Sequence, residues 1–345
     1  MAAKINVNPF IAYALKRFGI MVLTLSVALF LIFILPRMIP GNPLASTIFR
    51  LTQGGITSPE QLKATERMLL ETFKLYEPLH IQFIDFISKL IHGDLGTSIL
   101  FYPLSVADLI ALYLPWTLLL MIPAVSLSWF IGNYIGVVAA MNRNKFVDKV
   151  VLTIFMILQG VPPYVLGMYL ILLLAVYMPI FPTGGGWPPG MVPRLSVEFV
   201  LAYLKHYILP FLSIFISSLG GWGLSMRSIA VQELASDYME YTIRGVGLSQ
   251  KKVVNYLFKC SALPQIVGLA IVLGWSVAGS VLTEIVFGYP GIGMIFWRAI
   301  NAQDYPLIQG IFIIIIATLL LANYISELLF AYIDPRARYA YVGVQ

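Results

Sequence analysis

Residues 230–264 read AVQELASDYMEYTIRGVGLSQKKVVNYLFKCSALP, a charged run set between two strongly apolar segments. Asp237, Glu240, Arg244, Lys251, Lys252 and Lys259 all fall within it, in a chain only 11% charged. Gly245 and Gly247 interrupt a helical pattern, and Ser249 follows them. Glycine tolerates left-handed backbone and serine is a good N-cap, so Gly-x-Gly-Leu-Ser ends one short helix and starts another. The spacing predicts helix, tight turn, helix, held at a membrane surface. Pro264 is expected to open the next apolar segment, since proline costs little in a first helical turn. Two readings stand for this stretch: a basic loop that only sets topology, or a helix that fits a partner's groove.

The segments on either side define the class. Hydrophobic residues make up 59% of the 345 positions, mean hydropathy is +0.86, and soluble domains are usually about 45–50% apolar. The net charge of +6 comes from basic residues in short connections between apolar runs, a topology signal rather than a nucleic-acid patch. A single cysteine, Cys260, excludes an intrachain disulfide. Lys4, Lys16 and Arg17 precede an apolar run longer than the roughly 7–15 residues of a signal-peptide core, so an uncleaved first span is expected.

A spanning helix needs about 20 mostly apolar residues, and six such segments are expected in an all-α, polytopic membrane protein. Residues 1–36 hold the N-terminus and the first span. Residues 37–113 form a helical insertion, in which Ser58-Pro59-Glu60 suits a helix start and Leu62, Leu69, Leu70 and Phe73 recur at helical spacing. Residues 114–333 form a five-span core. Its spans are read near 114–141, 147–178, 206–229, 264–287 and 307–333, and the 230–263 connection lies within it. Gly160-Val161-Pro162-Pro163 should kink or break the second of these. Residues 183–190, TGGGWPPG, read as a loop, and 195–205 as a short amphipathic surface helix. Residues 334–345 are a short basic tail.

Lys and Arg concentrate at the N-terminus, at Asn142-Arg143-Asn144-Lys145, in 230–263 and in the tail. The connections near 179–205 and 288–306 carry only Arg194, Lys205 and Arg298. The positive-inside rule therefore places both termini and the central stretch in the cytoplasm, with the insertion outside.

No enzymatic constellation is present. There is no Gly-Lys dipeptide for a nucleotide-binding loop, and His80, His92 and His206 lack metal-ligand spacing. No catalytic residue, metal or cofactor is expected. Charged groups near spans are the informative ones, because burying them in lipid is costly. Glu284, beside the Pro290-Gly291 turn, is either an interfacial carboxylate or a cavity-facing acid that meets substrate or braces the outer gate. Glu327 with Asn323 and Ser326 is expected to hydrogen-bond between helices. Small residues such as Gly220, Gly221, Gly223 and Ser225 allow close helix packing.

Several motifs together resemble the permeases of peptide/nickel-type ABC importers over nearly the whole chain. Arg227, Asp237-Tyr238, Gly247-Leu248-Ser249, Lys251-Lys252 and Leu263-Pro264 resemble that branch's EAA loop, with Tyr241-Thr242-Ile243 in place of the Glu-Ala-Ala triplet. Residues 93–98, GDLGTS, resemble its motif before the second span. Thr283-Glu284, Pro290-Gly291-Ile292-Gly293, Asp304-Tyr305-Pro306 and Asp334-Pro335-Arg336 resemble its C-terminal signature. The insertion resembles the first of the two permeases in such systems.

The resemblance implies a type I importer fold and alternating access. It implies a second permease, two cytoplasmic ATPases that hydrolyse the ATP, an extracytoplasmic binding protein and surrounding lipid. It places ATPase coupling at Arg227, Asp237, Tyr238, Tyr241, Thr242, Arg244, Gly245, Gly247, Leu248, Ser249 and Pro264, and an outer gate at Glu284, Pro290, Gly291, Gly293 and Asp304. The branch carries dipeptides, longer peptides, nickel complexes or oligosaccharides. The competing readings are a secondary transporter or channel not driven by ATP, which would show matched broken spans with midplane carboxylates, and a membrane-embedded enzyme.

Overall fold

The computed structural model describes residues 9–41, 43–44, 48–49, 58–247, 249–276 and 281–333. Among these residues the chain is all-α, and its extended pairing is one bridge between Thr97 and Ser105. Among the described residues five helices are long and apolar enough to cross a membrane, six if the bent helix pair is counted as one span.

The first span, α1 (Pro9–Arg37), packs along the last, α12 (Tyr305–Ile333). Arg17 pairs with Glu327 at 3.0 Å, and Phe18 meets Tyr324 edge to face. The expected interhelical role of Glu327 is therefore an ion pair that ties α1 to the core. Two amphipathic helices follow, α2 (Pro59–Thr72) and α3 (Leu79–Ile91). Phe33 of α1 packs against Phe83 and Phe86 of α3, which holds α3 on the end of α1.

The core starts with α4 (Val106–Met141). It begins eight residues before the expected boundary at 114, because Ser105 caps it: the Asp108 backbone N–H donates to the Ser105 hydroxyl at 3.0 Å. The next span is broken. α5 (Phe146–Gly160) and α6 (Pro163–Ile171), which runs on through a π-helical stretch to Tyr177, meet at 94°. Val161 and Pro162 are extended there, since the residue before a proline is pushed out of helical backbone, and Pro163 then starts α6 without needing its missing N–H. The sequence predicted a break at this point but not a right angle.

The expected surface helix at 195–205 and the span at 206–229 are one helix, α7 (Val197–Leu234). Lys205 and His206 mark a polar patch but carry no helix-breaking chemistry, so the chain does not stop there. α7 runs parallel to α4, and glycines set the spacing. A Cβ on Gly136 of α4 would lie 2.5 Å from the Gly223 carbonyl, and one on Gly220 of α7 would lie 2.5 Å from the Phe155 carbonyl of α5. Close packing is thus what Gly136, Gly220 and Gly223 do here, whereas a Cβ on Gly221 would meet nothing within 4 Å.

Beyond α7 come α8 (Asp237–Val246) and α9 (Gln250–Trp275). Pro264 does not open a helix. It lies inside α9, on the exposed side, where it costs the helix a backbone hydrogen bond and sets its ring against the preceding turn. The span expected at 264–287 is correspondingly divided: α9 carries the apolar crossing, and α10 (Val281–Phe287) is a separate short helix. α11 (Ile292–Ala302) leads into α12. Three helices meet where Trp129 of α4 donates to the Gln265 carbonyl of α9 at 2.9 Å and the Gln265 amide donates to Ser225 of α7 at 2.7 Å.

Candidate coupling surface and gate

One end of the bundle carries α8. Asp237 and Glu240 occupy its first turn, where negative charge suits the helix N-terminus. Met239 is fully buried in a cluster with Val137, Met226, Val253 and Leu257, residues of α4, α7 and α9, so this one side chain seats α8 on the end of the bundle. The other face presents Asp237, Tyr238 and Tyr241, with Tyr241 74% exposed. The Tyr238 hydroxyl donates to the Glu233 carboxylate at the end of α7, and losing that proton beside a carboxylate is unfavourable, which raises the phenol to about 12. Gly247 closes the helix at φ 65° and ψ 39°, the left-handed region, and Ser249 stands at the N-cap of α9. Thr242, Arg244 and Gly245 lie on the α8 backbone, their side chains outside the described residues, as is the whole of Leu248.

Arg227 is not on the exposed face of α8. Its Nε and Nη2 donate to the two carboxylate oxygens of Asp148 at 2.6 and 2.7 Å, and the Asn144 N–H donates to the same carboxylate at 3.0 Å. Asp148 is 2% exposed. The fork joins α7 to the start of α5 and to the basic 142–145 turn, one helical turn from the residues that seat α8. Sequence reading did not single out Asp148; its place directly after the basic turn was the available signal.

The opposite end of the bundle gathers the C-terminal motifs around two buried carboxylates. Glu284 on α10 is fully buried. Its Oε1 accepts from the Thr117 hydroxyl of α4 at 2.7 Å, and its Oε2 accepts from the Gly293 N–H of α11 at 2.7 Å. Thr117 in turn accepts from the Ile292 N–H at 2.8 Å. The chain turns through Gly288-Tyr289-Pro290-Gly291 so tightly that a Cβ on Gly293 would lie 2.6 Å from Val281 Cα. Glycine at 293 therefore lets α11 approach the acid on α10. The interfacial reading of Glu284 does not fit its burial.

Asp304 is the second carboxylate. It accepts from the Ser98 hydroxyl at 2.5 Å, the Leu100 N–H at 2.8 Å and the Leu307 N–H at 3.1 Å. Burial pushes its carboxyl up, against those three donors. The 93–98 motif is thus the cradle of Asp304: Gly93 and Gly96 have φ of 76° and 82°, which bends the chain so that Ser98 reaches it.

The glycine-rich 183–190 loop packs on the same turn. The Gly185 N–H donates to the Phe287 carbonyl at 2.7 Å, and a Cβ on Gly186 would lie 2.7 Å from Pro290. Tyr289, fully buried, shares a 2.7 Å hydrogen bond with Tyr203 of α7 and donates to the Trp116 carbonyl at 3.1 Å. Thr117, Tyr203 and Tyr289 carried no isolated signal in the sequence, and Ser98 stood there only as the last residue of the 93–98 motif. Thr117 and Ser98 matter because distant segments bring them to the two acids.

A family described as binding-protein-dependent transport system inner membrane component matches residues 132–339. The chain belongs to that family: it is a multi-pass membrane permease subunit of a binding-protein-dependent transport system. It is 32% identical over 319 residues to the probable D,D-dipeptide transport system permease protein DdpB of Escherichia coli, covering 88% of this chain and 91% of that one. It is 28% identical over 330 residues to the oligopeptide transport system permease protein AppB of Bacillus subtilis, at 95% and 99% coverage. The glutathione transport system permease protein GsiC of Salmonella choleraesuis is 30% identical over 328 residues, again at 95% and 99%.

Proposed function

We propose that this permease imports peptides, driven by ATP hydrolysed in two separate cytoplasmic subunits that dock on α8. The names of the three relatives support a peptide substrate, each naming a peptide or peptide-like cargo. The observation that carries the coupling role is the two-sided character of α8: Met239 anchors it to three spans while Asp237, Tyr238 and Tyr241 face away. A push on α8 is transmitted to α4, α7 and α9 through that anchor, as a rigid lever requires.

In this reading the α8 end and both termini are cytoplasmic, in line with the basic flanks. The Glu284 and Asp304 end is the outer gate. A second permease completes the path, and an extracytoplasmic binding protein delivers cargo to the gate. The 37–113 segment is extracytoplasmic. The test is substrate-stimulated ATP hydrolysis by the reconstituted complex, with pull-down of the ATPase subunits. Asp237→Lys should lose both while the permease still inserts. Wild-type stimulation and assembly in that variant and in Tyr241→Glu would reduce α8 to a topological loop.

A further inference from the structure

A cavity of about 210 Å³ lies between α2, α3, the end of α1 and the first turns of α12, apart from the gate carboxylates. Its walls hold three cations, Arg37, Lys74 and Lys89, and two anions, Asp85 and Asp94. Both carboxylates already accept hydrogen bonds. Asp85 takes both lysines, at 2.5 and 2.8 Å, and Asp94 accepts from the Gly96 N–H at 2.8 Å.

The donors are not all matched. Arg37 spends Nε on the Gln82 carboxamide at 3.0 Å and Nη1 on the Phe33 carbonyl at 2.8 Å, both neutral, and its guanidinium lies 3.8 Å above the Phe33 ring. Among the described residues no carboxylate forms an ion pair with it. Gln309, on the α12 wall, is only 5% exposed, and its Nε2, itself buried, finds no acceptor among the described residues. A buried N–H₂ without a partner is costly, and most such groups in folded proteins are satisfied. The cavity thus has one net positive charge in its walls, three cations against two carboxylates.

We propose that this cavity binds a small oxyanion, a carboxylate or phosphate group, held by the charge of Arg37, Lys74 and Lys89 beside the Gln309 amide of the α12 wall. Arg37 ends an apolar span, so the group can arrive in free solution or on an anionic lipid at the same level. Such a ligand would join α2 and α3 to α12 and couple the insertion to the helix that begins directly after Asp304.

The experiment uses the full chain in nanodiscs and follows its thermal unfolding midpoint. In phosphatidylcholine discs, sodium acetate and sodium phosphate are titrated against sodium chloride at matched ionic strength. In a second arm phosphatidylglycerol replaces part of the phosphatidylcholine, without added acetate or phosphate. A rise with acetate or phosphate identifies a free anion, and a rise only with phosphatidylglycerol identifies a lipid headgroup. Either supports the site, provided that Gln309→Leu and the half-exposed Lys89→Met each weaken the apparent affinity by roughly tenfold, the size of one lost charge-assisted hydrogen bond. If no anion and no phosphatidylglycerol raises the midpoint, or if both variants respond as wild type does, the cavity holds only water and the proposal fails.

Discussion

The Glu284 carboxylate and the Thr117 hydroxyl stand 2.7 Å apart across 167 positions of chain. Thr117 is the hinge of this contact, because it gives its proton to the acid and accepts from the Ile292 N–H. Thr117→Val keeps the shape and removes both bonds, leaving a buried carboxylate short of a donor, at a cost of about 1–3 kcal/mol. The expected outcome is a lower unfolding midpoint and reduced transport, with the chain still inserted. Glu284→Gln should be milder, since an amide oxygen can still accept one bond. Uptake by proteoliposomes and thermal unfolding check both, and unchanged values in Thr117→Val would remove the bracing role.

The Arg227–Asp148 fork predicts a sharp asymmetry. Arg227→Ala strands the Asp148 carboxylate, 2% exposed, and should destabilise the α8 end by about 3–5 kcal/mol. Arg227→Ala with Asp148→Ala removes the charge as well as its partner, and should recover part of that loss. A double-mutant cycle on thermal unfolding measures the coupling, and additive single effects would show that the pair contributes little.

At Gly247 the backbone is left-handed, with φ 65°. Valine there should cost about 1–2 kcal/mol locally and turn α8 away from its seat. No span is altered, so insertion should persist while stimulated ATP hydrolysis in the complex falls. Asn, which tolerates this region, should retain more activity than Val. Equal behaviour of Asn and Val would locate the effect elsewhere.

Asp85 supplies a pH dependence. Hydrogen bonds from Lys74 and then Lys89 hold its carboxyl below the ordinary 3.8. A depressed acid stabilises the folded form above the unfolded value, and that contribution is lost as pH falls through the folded value. The α2–α3 pair should therefore loosen only below about pH 4. The lysines are nearly half exposed, so the contribution is limited to about 1 kcal/mol. Limited proteolysis of 58–92 between pH 7 and pH 3 reads it, and Asp85→Asn should flatten the profile.

Crossing segments, the short helix on the bundle end and its glycine stop were legible in the residues, because each rests on local chemistry. Apolar length makes a span, charge in the connections marks the ends, and Gly247 ends a helix whatever lies around it. The motifs 93–98 and 304–306 were visible too, but as two separate strings. That Ser98 of one holds Asp304 of the other is a matter of chain path, and no spacing rule reports a contact over 206 positions. Pro264 and Lys205 both misled: each looks like a boundary locally, yet each lies inside a helix that continues past it. The partner of Arg227, the burial of Glu284 and the right angle at Gly160 likewise depend on which helices are neighbours. Those pairings are set by close packing at glycines such as Gly136 and Gly220, where the absence of a side chain has meaning only once the opposing backbone is in place.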